Sequence, residues 1–210
     1  MKNSIKALSA SLLLATGFAA TSAQAEVSAN VAIQSDYVWR GISQNAEDPS
    51  IQGGFDYAHE SGFYAGVWGA SVDFGGAEST EGDIYFGFSG ETEGGFGYDV
   101  GYIEYTYHGQ DGASDSNFTE YYVGGSYAGF GLTYYIGDEF DDNIELSYGY
   151  DFEGFSLGAT YSDYDSYSYY QAGISGEVGG IGLDLSYWDT DVDDVEEADG
   201  RVVLTVSKSF

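Results

Sequence analysis

Two arginines set among carboxylates are the residues with which this chain could act on a charged solute. Asp36 and Arg40 lie four apart, and Asp56, Asp99, Glu104, Glu120, Glu145, Asp151, Asp184 and Arg201 fall on the polar parity of alternating segments. Fixed charges of this kind around a narrow passage concentrate cations and repel anions. The same groups could instead pair with one another and only brace a wall. A second constellation is purely acidic. Asp189, Asp191, Asp193, Asp194, Glu196, Glu197 and Asp199 crowd one segment, and Asp138, Glu139, Asp141 and Asp142 another. Oxygen-rich clusters suit Ca²⁺ or Mg²⁺, with Asp189, Asp191, Asp193 and Asp194 the residues that would hold one. The EF-hand pattern is not met, because Asp194 stands where its glycine belongs and Gly200 where its last glutamate belongs. Solvated, aggregation-resistant loops are therefore the preferred reading.

Covalent catalysis has little to work with. The chain has no cysteine, and His59 and His108 are its only imidazole bases. The stretch Gly87-Phe88-Ser89-Gly90 lacks the spacing of a nucleophile elbow. The pairs Gly129/Gly131 and Gly180/Gly182 lack the third glycine of a dinucleotide fingerprint. No catalytic residue and no cofactor is expected, and a membrane-embedded hydrolase is the most distant alternative. Charge balance narrows the partners. With 35 Asp+Glu against 5 Lys+Arg, a formal net charge of -30, the chain is unsuited to neutralising nucleic-acid phosphates. Its 43% hydrophobic and 18% aromatic content equally rules out a solvated coil.

These residues must be held by strands. Lys2 and Lys6, the apolar run Ala7 to Ala19 and the small-residue site Ala23-Gln24-Ala25 read as a secretory signal, so 1–25 is expected to be removed and 26–210 to form one domain. Arg40, Arg201 and Lys208 are then the remaining basic residues. Beyond residue 26 the pattern has period two. Val27, Ala29, Val31, Ile33, Ser35, Tyr37 and Trp39 alternate with Ser28, Asn30, Ala32, Gln34, Asp36, Val38 and Arg40, which predicts one strand from 27 to 40. Comparable alternation covers 144–152, 155–162, 181–188 and 201–207. Its polar side is rich in Gly and Ser and its apolar side in aromatic rings, the arrangement of a barrel with lipid outside and water or a polar network inside.

Connections alternate in length. Short ones begin their return strand alike, at Gly62-Phe63, Gly95-Phe96, Gly129-Phe130, Gly154-Phe155 and Gly180-Ile181. Longer polar stretches lie at 43–50, 75–82, 108–117, 138–142, 163–166 and 190–199. The count predicts an all-β, transmembrane, antiparallel up-and-down barrel of 12 strands; the absence of clear parity from Phe63 to Asp73 leaves ten as the alternative. Trp39, Tyr64, Trp68, Tyr107, Tyr164, Tyr167 and Trp188 fall near strand ends and are expected to form interfacial girdles. Of these, Trp68 and Trp188 have parity that would also allow a lumen contact. Inward Gly54, Gly87, Gly101, Gly149 and Gly158 are expected to leave the lumen open. Terminal Phe210 closes an amphipathic strand like a barrel-assembly signal, with Lys208 on the outward parity, close enough to the end to snorkel.

The segments Ser35-Asp36-Tyr37-Val38-Trp39-Arg40-Gly41-Ile42-Ser43-Gln44, Pro49 to Ala58 and Gly62 to Trp68 resemble the proteobacterial TorF family of porins, most densely over 31–74. That resemblance implies an outer-membrane β-barrel acting as a channel. The combined expectation is a bacterial outer-membrane pore passing small cationic or neutral solutes. Asp36, Arg40, Asp56, Asp99, Glu120, Glu145, Asp151, Asp184 and Arg201 would line it. Its expected partners are membrane lipid, lipopolysaccharide and the barrel-assembly machinery. The alternative is a non-conducting scaffold displaying acidic loops for adhesion or for contact with divalent ions and lipopolysaccharide.

Overall fold

A computed structural model describes residues 26–138, 141–164 and 166–210; residues 1–25, on which the expected signal falls, and Glu139, Phe140 and Asp165 lie outside them. Among the described residues, β1 (Glu26–Gln34) is followed by a short hairpin, β2 (Val38–Trp39) and β3 (Ile42–Ser43). Next come β4 (Ser50–Ala58), β5 (Phe63–Ser71), β6 (Glu78–Glu91), β7 (Gly97–Gly109), β8 (Phe118–Tyr127) and β9 (Phe130–Asp138). The chain continues with β10 (Asn143–Phe152), β11 (Phe155–Tyr164), β12 (Tyr167–Val178), β13 (Ile181–Thr190) and β14 (Arg201–Ser209). Apart from β2 and β3, neighbours in sequence pair antiparallel, and β1 closes the ring against β14. The fold is thus a closed 12-strand barrel. Phe210 completes the seam, its backbone N–H donating to the Ala29 carbonyl at 2.9 Å and its carbonyl accepting from Ala29. Closure pairs every edge, the condition for strands to cross a hydrocarbon layer.

Alternation decides which face each residue takes. Val27, Ile51, Phe55, Tyr127, Phe130 and Val202 each lie more than half exposed on the outside. A contiguous apolar belt of this kind is untenable in water and suits lipid. Among the described residues no helix is long and apolar enough to cross a membrane. At three of the short turns, Ala128-Gly129, Glu153-Gly154 and Gly179-Gly180, both central residues have positive φ. That left-handed pair gives the tight turn whose twist matches antiparallel strands. Lys208 is on the outward parity, and its Nζ donates to the Gly180 carbonyl at 3.0 Å, at the turn end of the barrel.

Two segments depart from the sequence expectation. The first strand ends at Gln34, not Arg40. Arg40 and Gly41 have φ of 49° and 85°, so the chain reverses and folds as a hairpin inside the barrel. A Cβ on Gly41 would stand 2.9 Å from the Tyr169 Cβ, so glycine allows both the turn and its close approach to the wall. The second departure is at 75–82, expected as a loop. Its second half already belongs to β6, where Glu81 and Asp83 face inward opposite Tyr107 and Tyr105. The stretch Phe63 to Asp73 contains β5, whose inward positions Tyr64, Gly66, Trp68 and Ala70 mix large and small residues and so hide the parity.

Candidate functional site: the barrel lumen

The inward hairpin is tied to the wall at several places. Arg40 sits at its tip, 3% exposed, and its two terminal nitrogens donate to the two carboxylate oxygens of Glu120 on β8 at 2.7 and 2.9 Å. Glu120 also accepts from Tyr105 at 3.1 Å. The guanidinium lies 4.3 Å from the centroid of the Trp39 ring and stacks on Tyr135 and Tyr164. Charge pairing, planar bidentate geometry and aromatic faces together satisfy a buried cation that would otherwise be costly. Tyr167 holds the Arg40 carbonyl at 2.9 Å. On the opposite wall Arg201 of β14 donates to Asp36 at 2.8 Å and pairs with Glu47 at 3.1 Å. Ser43 completes Asp36, donating at 2.7 Å. Tyr37 reaches β6 with a longer contact to Glu81, 3.4 Å.

The other candidates sit on the wall. Asp56 accepts from Tyr85, Asp99 from Tyr64 at 2.7 Å, and Glu145 from Tyr169. Asp184 is buried, with one carboxylate oxygen unpartnered among the described residues. Asp151 has the inward parity but is exposed near the short-turn end, accepting from Ser156 at 2.5 Å. Glu104 is a correction: Ile103 and Tyr105 point inward, so Glu104 between them takes the outward face. Arg40 and Asp36 do not pair with each other; each is bound to a different wall strand.

Aromatic residues correct the girdle expectation. Tyr64, Tyr107, Tyr164 and Trp188 are buried inside the barrel, and Trp39, Trp68 and Tyr167 pack against the same interior clusters. Tyrosine can serve either face, because its ring packs while its hydroxyl finds a partner. The inward glycines split by location. Gly54, Gly87 and Gly101 lie directly opposite Trp68, Tyr64 and Tyr122, whose side chains crowd the space a Cβ would need. Gly66 is covered in the same way by Tyr85. These rings fill the lumen on the β4–β8 side. Gly149 and Gly158 face each other across β10 and β11, and a Cβ on Gly158 would meet open space. Ser147 and Thr160 pair beside them, and Gly173 follows on β12. A polar strip therefore remains open at Gly149 and Gly158, in the short-turn half of β10 and β11, while nearer the loops the same strands are filled by Asn143, Glu145, Ser162 and Tyr164.

Glu81 and Asp83 are the inward carboxylates that sequence reasoning missed. Each is almost fully buried and has one oxygen without a hydrogen bond among the described residues. The outward series Ile84, Phe86 and Phe88, read backwards, is the signal that assigns them to the lumen. Among the described residues no group of acidic and imidazole side chains is arranged to hold a metal ion, and this covers Asp189, Asp191, Asp193 and Asp194. Instead Asp189 accepts from Tyr170 and Tyr187, and Asp191 from the Ser168 backbone. His59 and His108 contact Ser61 at 2.9 Å and Thr106 at 3.3 Å respectively.

Known structures share this architecture. The KdgM porin matches with a TM-score of 0.61 at 11% identity, covering 88% of this chain and 98% of that one. The KdgM porin in complex with disordered oligogalacturonate matches at 0.62 and 10%, with the same coverage. At such identity the likeness establishes the fold. No curated protein matches the sequence. The family match, over residues 18–151, is to Gcw_chp, described as a bacterial protein of unknown function, and the TorF name drawn from 31–74 is not the one that it returns. Because that match spans more than half of the chain, the protein belongs to the Gcw_chp family.

Proposed function

We propose that the protein is an outer-membrane channel for passive diffusion of small cationic or neutral solutes. The observation that carries this reading is the apolar exterior combined with the open glycine strip at Gly149 and Gly158. Water can enter such a strip from the short-turn end, and the excess of carboxylates over Arg40 and Arg201 favours cations along it. The porin architecture of the structural neighbours and the resemblance of 31–74 to TorF porins support the same reading. The cargo would differ from the oligogalacturonate found in complex with one neighbour, because a polyanion would be repelled here. Phe210 would serve recognition by the barrel-assembly machinery, and the acidic outer loops would meet lipopolysaccharide through bridging divalent ions.

A non-conducting scaffold is the second reading, favoured by the ties from the hairpin to Glu120 and Arg201. Single-channel recording of the refolded mature chain in a planar bilayer under a KCl gradient separates the two. Discrete steps with a cation-selective reversal potential are expected. Silence from protein whose folding is shown by heat-modifiable gel migration would overturn the channel. Arg40→Ala should raise conductance or cation preference by removing the hairpin's anchor and a positive charge. An unchanged current and reversal potential would exclude Arg40 from the filter.

A further inference from the structure

We infer that Glu81 and Asp83 form a binding site for one hard divalent cation, of the Ca²⁺ or Mg²⁺ class, on the inner face of β6. Both side chains are buried, 2% and 3% exposed, and each has an oxygen, Glu81 Oε2 and Asp83 Oδ1, without a hydrogen bond among the described residues. A buried carboxylate left alone is strongly unfavourable, so such groups are paired or hold metals. Pairing is not open to these two. The basic side chains of 26–210 are Arg40, Arg201 and Lys208. Arg40 is bound to Glu120, Arg201 to Asp36 and Glu47, and Lys208 lies at the turn end against the Gly180 carbonyl. His108 takes the outward face of β7, beside Thr106. Across the ladders, Tyr107 and Ala70 lie opposite Glu81, and Tyr105 and Trp68 opposite Asp83. Tyr37 adds only its long 3.4 Å contact to the other Glu81 oxygen.

Number, spacing and charge select the ligand. Glu81 and Asp83 are two apart on one face of a strand, about 6.6 Å along it, while two oxygens on one Ca²⁺ stand up to about 5 Å apart. The reach of the two side chains closes that difference. A single divalent ion cancels both negative charges, whereas a monovalent ion would leave one buried and unmatched. The described acidic and imidazole side chains form no group of three around a metal. A divalent ion held by one or two carboxylates keeps water in its remaining positions. Asp184 shows why the second carboxylate matters. It too has a buried oxygen without a partner among the described residues, but the next inward positions on β13 are Gly182 and Ser186, so it offers one ligand alone. An ion at Glu81 and Asp83 would sit where Tyr37, edge to face with Trp68 at 5.6 Å, meets the wall. It would fasten the hairpin to β6 as Glu120 and Arg201 fasten it to β8 and β14. That role is independent of whether the barrel conducts.

The test is urea unfolding of the refolded mature chain in phosphatidylcholine vesicles, freed of metal with EDTA and then given Ca²⁺, Mg²⁺ or K⁺ at matched ionic strength. A saturable gain in stability is expected with a divalent ion and none with K⁺. At ~100 times its Kd, the ion should lower the unfolding equilibrium constant about a hundredfold. Glu81→Gln and Asp83→Asn keep the shape and remove one charge each, and each should lose most of that gain. Asp193→Asn, in the acidic loop, should keep it. Protection that survives Glu81→Gln and Asp83→Asn, or vanishes with Asp193→Asn, overturns the site. So does a parent chain that divalent ions leave unchanged; stabilisation by mild acid in their place would make the proton the missing counter-charge. A second reading leaves the carboxylates intact. Tb³⁺, a calcium surrogate excited through neighbouring indoles, should lose most of its sensitised emission in Trp68→Phe, because Trp68 lies directly across from Asp83. Emission unchanged in Trp68→Phe would place the ion elsewhere and overturn the assignment even if the carboxylate variants fail to refold.

Discussion

The β4–β8 wall and the β10–β12 wall use the same inward residue, glycine, to opposite ends. On the first, Gly54, Gly66, Gly87 and Gly101 are each covered by the aromatic side chain directly across the ladder. On the second, Gly149, Gly158 and Gly173 are one another's cross-strand neighbours, so no ring is placed to cover them. An inward glycine is a socket or a gap according to its partner one strand away. Arg40 is held between the two, by Glu120 on the first and by Tyr164 and Tyr167 on the second, and the wall of gaps carries Asp151 in the open near the short turns. In the short-turn half of the barrel one side is built as a core and the other is left open.

The largest effect that would test this contrast lies in the charges. Glu120→Ala leaves Arg40 buried without its carboxylate and should cost about 3–5 kcal/mol, the usual loss when one partner of a buried pair is removed. Urea unfolding in lipid vesicles measures it, and a loss near that of a surface substitution would mean that the pair does not hold the hairpin. The glycines give the next largest difference. Gly101→Ala drives a methyl into the Tyr122 ring and should cost about 1–3 kcal/mol as overpacking. Gly158→Ala meets nothing and should stay within about 0.5 kcal/mol of the parent. Equal costs at the two sites would erase the distinction between sockets and gaps.

How much of this was legible in the sequence depends on what each residue type commits to. In β10, β11 and β13 the outward residues are largely Ile, Leu, Phe and Tyr and the inward ones mostly Gly, Ser, Thr and acids, so parity was plain. The repeated glycine-plus-bulky-residue return strands fixed the turns and therefore the strand count. In β5 through β8 tyrosine appears on both faces, for example Tyr121 outward and Tyr122 inward, and the pattern carries less information. Trp39 continued the parity of β1 although the backbone reverses at Arg40 and Gly41, a turn that alternation cannot register. Glu81 was hidden because Ser, Thr, Glu and Gly at 78–82 have loop-like composition. The pairings were beyond reach altogether: Arg40 and Glu120 lie 80 positions apart, and only barrel closure brings them together.

Filling the gap tests the passage directly. Gly158→Trp places a ring where a Cβ meets nothing, so single-channel conductance should fall by at least about twofold while folding is retained. An unaltered current would move the water path to another part of the lumen.

The smallest effect concerns Asp151, on the open wall near the short-turn end. Its carboxylate accepts from Ser156 and is otherwise solvated, so Asp151→Asn forfeits little and should change stability by less than about 0.5 kcal/mol. Its consequence should be electrical. One negative charge removed from a solvated stretch of the path lowers the local cation concentration, and salt screening confines that influence to roughly 10 Å at 0.1 M. The reversal potential under a KCl gradient should therefore shift slightly toward zero at low salt and converge with the parent at 1 M. A shift that persisted at high salt would mean that Asp151 touches the permeating ion instead of acting through its field. No shift at any salt would place the path away from the β10–β11 strip, and the comparison between the two walls would then describe packing alone.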